Sequence, residues 1–173
     1  MKKFCYFTFA VLTALVFGCS DKKGFVTTFK GGIEEGDWIN TNTIGYNGGG
    51  HTGDLSSKVD SANQFSFGFS KLISEISDNP VKKIKISVWV KLENLEKKVA
   101  LVIAITDKDN KKIFWESQDV NPDVKEINKY SKISAEFKLP EFKNEGALAR
   151  VYVWNPNGNV ANVDDFEIQF LEE

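Results

Sequence analysis

The clearest pattern in the chain is the alternation over residues 82–92. Ile84, Ile86, Val88, Val90 and Leu92 fall on one side, and Lys83, Lys85, Ser87, Trp89 and Lys91 on the other. A period of two is that of a strand with one buried face. The same period returns in residues 130–139, where Ile133, Ala135, Phe137 and Leu139 point inward. It returns again in residues 64–72, where Phe65, Phe67 and Phe69 are expected to share one face. Residues 99–106 are apolar on both faces, as a central strand would be. Asp107-Lys108-Asp109-Asn110 reads as a turn into a strand at 112–117; it lacks the Gly and terminal Glu of a calcium loop. Further strands are expected at 25–29, 38–44 and 55–60. Residues 149–170 read as a strand, a tight loop of Asn, Pro and Gly, and a closing strand. The one helical candidate, 123–129, is short. Eight or more strands at this spacing predict an all-β fold, a two-sheet antiparallel β-sandwich of the jelly-roll kind.

The start of the chain departs from this pattern. Lys2-Lys3 precede an apolar run from Phe4 to Phe17, the length of a secretory signal core rather than a membrane span. Val16-Phe17-Gly18-Cys19 resembles a bacterial lipobox, which implies lipidation at Cys19. An ordinary signal peptide or an uncleaved anchor is the alternative. The expected organisation is a lipoprotein signal peptide over 1–18, a tether over 19–24 and a β-sandwich over 25–173. Loss of the segment removes two lysines, leaving 20 basic against 24 acidic residues and a net charge of −4. With Cys5 removed and Cys19 acylated, no thiol remains for a disulfide, a thiolate metal site or a nucleophile. His51 is the single histidine, so neither a catalytic triad nor a histidine-based metal site is expected. A glycosidase carboxylate pair depends on a separation in space, and nothing in the chain favours one. The chain is expected not to be an enzyme. The balanced charge, with no basic stripe, argues against nucleic acid.

Several residues invite a binding role. Trp89 sits on the polar side of its strand: it either stacks on a sugar or covers a long loop or a neighbouring strand. Arg150, Tyr152 and Trp154 share one side of theirs, with the alternative that the aromatics are core. Trp115 and Tyr130 are weaker companions. Asp164-Asp165, unusual at the head of a strand, suggest either a cation site or a β-bulge with exposed acids. Residues 45–53 hold five glycines; with no Walker ending and no helix pattern following, they do not form a phosphate loop.

Three segments together resemble the carbohydrate-binding-module-like (galactose-binding-like) jelly rolls found in secreted proteins of the Bacteroidota. They are Phe29-Lys30-Gly31-Gly32 with Trp38, His51-Thr52-Gly53-Asp54-Leu55-Ser56 through Phe65-Ser66-Phe67-Gly68-Phe69, and Tyr152-Val153-Trp154-Asn155 with Val163-Asp164-Asp165-Phe166. The likeness covers roughly residues 25 to 171. Taken with the lipobox and the candidate residues above, it leads to the expectation of a non-catalytic, outer-membrane lipoprotein that binds polysaccharide, with Trp89, Arg150, Tyr152, Trp154 and Trp115 as the binding residues. The alternative is an envelope-structural or protein-binding lipoprotein on the same scaffold. The resemblance further implies a structural Ca²⁺ held by Asp164 or Asp165 with an acid near the first strand. Lys30 stands where the family has Glu, so Glu34 or Glu35 would have to serve.

Overall fold

The computed structural model describes residues 24, 26–33 and 39–172. Cys19, Glu34, Glu35, Trp38 and the signal segment lie outside them. The strands are β1 (Val26–Gly31), β2 (Ile44–Gly45), β3 (Ser56–Val59), β4 (Phe65–Leu72), β5 (Lys83–Leu92), β6 (Ala100–Thr106), β7 (Lys112–Asp119), β8 (Ser131–Lys138), β9 (Leu148–Trp154) and β10 (Ala161–Leu171). They make two antiparallel sheets. One runs β2-β3-β10-β5-β8, with β1 also on β10; the other runs β4-β9-β6-β7. The fold is an all-β jelly-roll sandwich. Between the sheets lie Ile84, Ile86, Val88 and Val90 of β5, Ile133 of β8, and Phe166, Ile168 and Phe170 of β10. They meet Phe67 of β4, Leu101, Ile103 and Ile105 of β6, and Val151 and Val153 of β9. The period-two patterns are thus satisfied by one shared core.

Four expectations are corrected. Residues 149–170 do not form a hairpin, because β9 and β10 belong to different sheets. The loop between them is a crossing held by buried asparagines. Asn155 Nδ2 donates to the Asn159 carbonyl (2.7 Å), and Asn159 N–H donates to Asn155 Oδ1 (2.9 Å). Asn159 Nδ2 also reaches the carbonyls of Asn94 and Lys97, both at 2.7 Å. These bonds replace the ladder the crossing gives up. Second, Phe65 does not share a face with Phe67 and Phe69. A register shift between Phe65 and Gly68 turns Phe65 outward, leaving it 47% exposed, while Phe67 is fully buried. Third, residues 123–129 form no helix; a 3₁₀ turn at Asn121–Asp123 precedes β8. Fourth, the strand expected at 38–44 reduces to a bridge between Ile39 and Gly68, a 3₁₀ turn at Thr41–Thr43 and the short β2.

β10 is the spine. On one edge it pairs with β5 from Ala161 to Leu171. On the other it pairs first with β3 and then with β1. Between Asp164 and Glu167 its register slips, and Asp165 takes φ +47°. Without this bulge, Asp165 would alternate into the core. With it, both acids stay on the outer side and Phe166 turns inward, 5.2 Å from Phe67 ring to ring.

Candidate functional site

The two sheets put the expected binding residues on opposite sides of the sandwich. Arg150, Tyr152 and Trp154 of β9 and Trp115 of β7 stand on the outer face of the four-stranded sheet. Trp89 of β5 stands on the outer face of the other sheet. The expectation of one surface joining Trp89 to Arg150 is therefore corrected.

On the four-stranded sheet the register builds an aromatic layer. Trp154 pairs with Phe65 on one side and Ala100 on the other. Tyr152 lies between Gly68 and Val102, and Arg150 between Ser70 and Ala104. Trp115 pairs with Ala104 from the far side. The outward residues of β6 are thus small, and the rings lie over them. Trp115 and Trp154 meet edge to face at 6.1 Å, and Phe65 and Tyr152 at 5.6 Å. Gly68 is required here, since a Cβ would stand 2.4 Å from the Val151 carbonyl and 3.0 Å from Tyr152 Cβ. Trp115 is 42% exposed, and among the described residues Arg150 is tied only to Thr106 Oγ1, at 3.3 Å. The layer covers β6 while presenting ring edges and faces to solvent. Phe65 was missed in sequence because a bulge leaves no compositional mark.

Trp89 is not a free surface ring. His51, carried by the glycine-rich loop, stacks on it at 3.7 Å and 12°. Of the two readings of Trp89, loop cover is the one the geometry supplies. Tyr130 meets His51 edge-on at 5.8 Å and donates its hydroxyl to the Gly49 carbonyl at 3.1 Å. Burial raises the Tyr130 pKa. Lys91 Nζ lies 5.0 Å from the centre of the Tyr130 ring. The loop is clamped from below by the two bulge acids. Asp164 Oδ2 accepts the N–H groups of His51 (2.8 Å) and Thr52 (3.2 Å), and its Oδ1 accepts that of Asp165 (2.8 Å). Asp165 accepts from Thr52 Oγ1 at 2.8 Å, and its Oδ2 lies 2.7 Å from His51 Nδ1. Asp164 is fully buried, and burial pushes its carboxyl above the ordinary carboxylate range. The sequence alternatives here were a cation site or exposed acids on a bulge. The bulge is present, but Asp164 is buried.

Gly50 marks an oxygen cluster. The place where its Cβ would stand is 2.3 Å from the Leu55 carbonyl, 2.4 Å from the Thr52 carbonyl and 2.8 Å from Asp164 Oδ2. Two carbonyls and a carboxylate converging on one spot are the donor chemistry of a hard cation. Among the described residues, no three His, Cys, Asp or Glu side chains group for a metal. A cation here would draw on backbone oxygens, and Glu34 and Glu35 lie outside the described residues. A shallow depression of about 330 Å³ beside Trp89 is lined by Lys30, Thr52, Ser87, Lys132 and Glu167 among others. Lys30 is paired with Glu167 at 3.3 Å.

In fold the chain is similar to solved carbohydrate-binding modules. The CBM22-1 xylan-binding domain from Paenibacillus barcinonensis Xyn10C superposes with a TM-score of 0.55 at 13% identity, over 88% of this chain and 98% of that one. The CBM22-2 xylan-binding domain of the same protein gives 0.52 at 17% identity, over 81% and 97%. The Clostridium thermocellum Xyn10B CBM22-1–GH10 modules, complexed with xylohexaose, give 0.50 at 20% identity, over 76% of this chain and 24% of that one. At these identities the likeness is one of fold. No protein-family model matches the chain, and no curated protein matches it in sequence.

Proposed function

We propose that the protein is a non-catalytic glycan-binding lipoprotein of the cell envelope, taking polysaccharide on the outer face of the four-stranded sheet. The observation that carries this is the aromatic layer of Phe65, Trp115, Tyr152 and Trp154 over the small residues of β6, with Arg150 beside it. Sugar rings offer apolar faces to aromatic side chains and hydroxyls to a guanidinium. The xylan-binding domains of like fold support the ligand class. The lipobox-like Gly18-Cys19 at the end of the apolar run supports acylation at Cys19 and an outer-membrane anchor. Trp89 belongs in this reading to the support of the glycine-rich loop. A calcium ion, if held, would take Asp164 Oδ2 and the carbonyls of Thr52 and Leu55, and would fix that loop without touching the glycan.

The test is a glycan array followed by calorimetry on Trp154→Ala. Truncating a central aromatic anchor should weaken binding about 30-fold, roughly 2 kcal/mol. A wild-type protein that retains nothing on the array, or a Trp154→Ala protein that binds like wild type, overturns the assignment.

A further inference from the structure

Beyond Phe65 the face runs into a depression of about 370 Å³, formed by residues 40–43 on one side and 61–65 on the other. Eight residues line it and none carries a charge, in a chain that is 27% charged. The backbones of both walls are committed. Ile39 and Gly68 exchange hydrogen bonds at 2.8 and 2.9 Å, Asn40 Nδ2 donates to the Ser66 carbonyl at 3.2 Å, and Thr43 Oγ1 lies 2.6 Å from Ser57 Oγ. Across from them, Asp60 Oδ1 accepts the N–H groups of Ala62 and Asn63, both at 2.9 Å. The Asn63 N–H, with that of Ala62, holds the Asp60 carboxyl below its ordinary pKa, and the acid is turned to its own turn rather than to the depression.

The side chains of Asn40 and Thr43 are committed as well, but four others are not. Asn42, Ser61, Asn63 and Gln64 make no side-chain hydrogen bond to another described residue. They surround the exposed ring of Phe65, which sits in register with Trp154 and edge to face with Tyr152. Walls with a fixed backbone thus hold uncommitted amides and a hydroxyl around one aromatic ring, where a ligand can engage them. Amides and hydroxyls both give and accept hydrogen bonds, as sugar hydroxyls do. A carboxylate or sulfate would find no cation among the lining residues.

We infer that this depression is an end subsite for an uncharged sugar unit, reached by a chain that crosses the strands from Trp115 over Trp154 to Phe65. The inference rests on the glycan reading of the aromatic face and adds the class of sugar and the direction of the chain. From β7 to β4 the path spans three strand spacings, roughly 14 Å. Only an oligosaccharide of several units engages both ends.

The test uses ladders of xylo-, cello- and β-galacto-oligosaccharides from disaccharide to hexasaccharide, with oligogalacturonates as the charged counterpart. Wild type should bind a neutral ladder with affinity rising with length. The double variant Asn63→Ala/Gln64→Ala should lose at least about tenfold on the hexasaccharide and nothing on the disaccharide. Trp154→Ala should weaken every length. A double variant that keeps the wild-type length dependence overturns the subsite while leaving the face intact. Oligogalacturonates bound more tightly than neutral chains overturn the uncharged class. A wild type that binds none of the ladders overturns subsite and face together. If the double variant melts well below wild type, Asn42→Ala replaces it on the opposite wall, with the same length-dependent loss expected and unchanged length dependence overturning the subsite.

Discussion

The outer faces of the two sheets are built from strands with the same alternation and end in different chemistry. On the six-stranded sheet, Lys83 and Lys85 reach Glu136 at 2.8 and 3.5 Å, and Lys30 reaches Glu167. Its one tryptophan is covered by His51. On the four-stranded sheet, four aromatic rings lie over alanine and valine, and among the described residues Arg150 has a single hydroxyl partner. One face pairs several of its charges within the chain; the other presents apolar and hydrogen-bonding surface. Exposed ion pairs add little to stability, so the first face is mainly a soluble cover and a guard for the β8 edge. An unpartnered aromatic surface is what contact with a ligand requires.

The strongest way to break this comparison is at Gly50. A Cβ there would meet two backbone carbonyls that cannot move independently. Gly50→Ala should destabilise by about 3 kcal/mol, the upper end for overpacking, and lower Tm by roughly 6–12 °C for a chain of this size. Glycan binding on the four-stranded face should survive at temperatures where the variant is folded. A wild-type Tm would show that the loop does not press on Gly50.

Trp89→Ala sharpens the contrast directly. The ring is half-buried and stacked, so its loss should cost about 2 kcal/mol, less than the 3–5 of a core tryptophan. Calorimetry should find glycan affinity unchanged. Lost binding with an unmoved Tm would reverse the assignment and make the six-stranded sheet the ligand face.

The smallest effect concerns Asp164. Its carboxyl is raised by burial, so the folded chain holds that proton more tightly than the unfolded one. The stability it contributes is present below the ordinary carboxylate range and is lost as pH climbs through the raised value. Measured in chelator, the stability of wild type minus that of Asp164→Asn should therefore fall as pH rises above the ordinary carboxylate range. Calcium should raise the wild-type Tm at neutral pH, because a cation holds the ionised form. A flat difference as pH rises would show that Asp164 titrates as an exposed acid does. A Tm indifferent to calcium would remove the cation from the Gly50 cluster.

Much of the fold was legible because strands advertise themselves by a period of two. β5, β8 and β9 fall within a residue of their expected limits, and the Asp107 turn joins β6 to β7 as expected: Asp107 Oδ1 accepts the N–H groups of Asp109 and Lys111. The shared side of Arg150, Tyr152 and Trp154 was legible for the same reason. What defeated the pattern was any residue that breaks the period. The β4 bulge sends Phe65 to the outer face of the four-stranded sheet, and the β10 bulge keeps Asp165 out of the core. His51 gave no sign of Trp89, because 38 residues separate them and only the folded loop brings them together.

The amino-acid sequence by itself determined which side chains turn inward along strands without a bulge, such as β5, β8 and β9, since burying one face of an alternating segment is a local choice with a large free-energy difference. Which sheet each strand joins was decided only by the tertiary structure. An antiparallel pairing inside a hairpin and a crossing between sheets begin from the same strand–loop–strand text, and the folded chain takes the crossing, with Asn155 and Asn159 bonded to each other inside it. That selection sets Trp154 and Trp89 on opposite sides of the molecule. It leaves one aromatic surface open and closes the other under a loop.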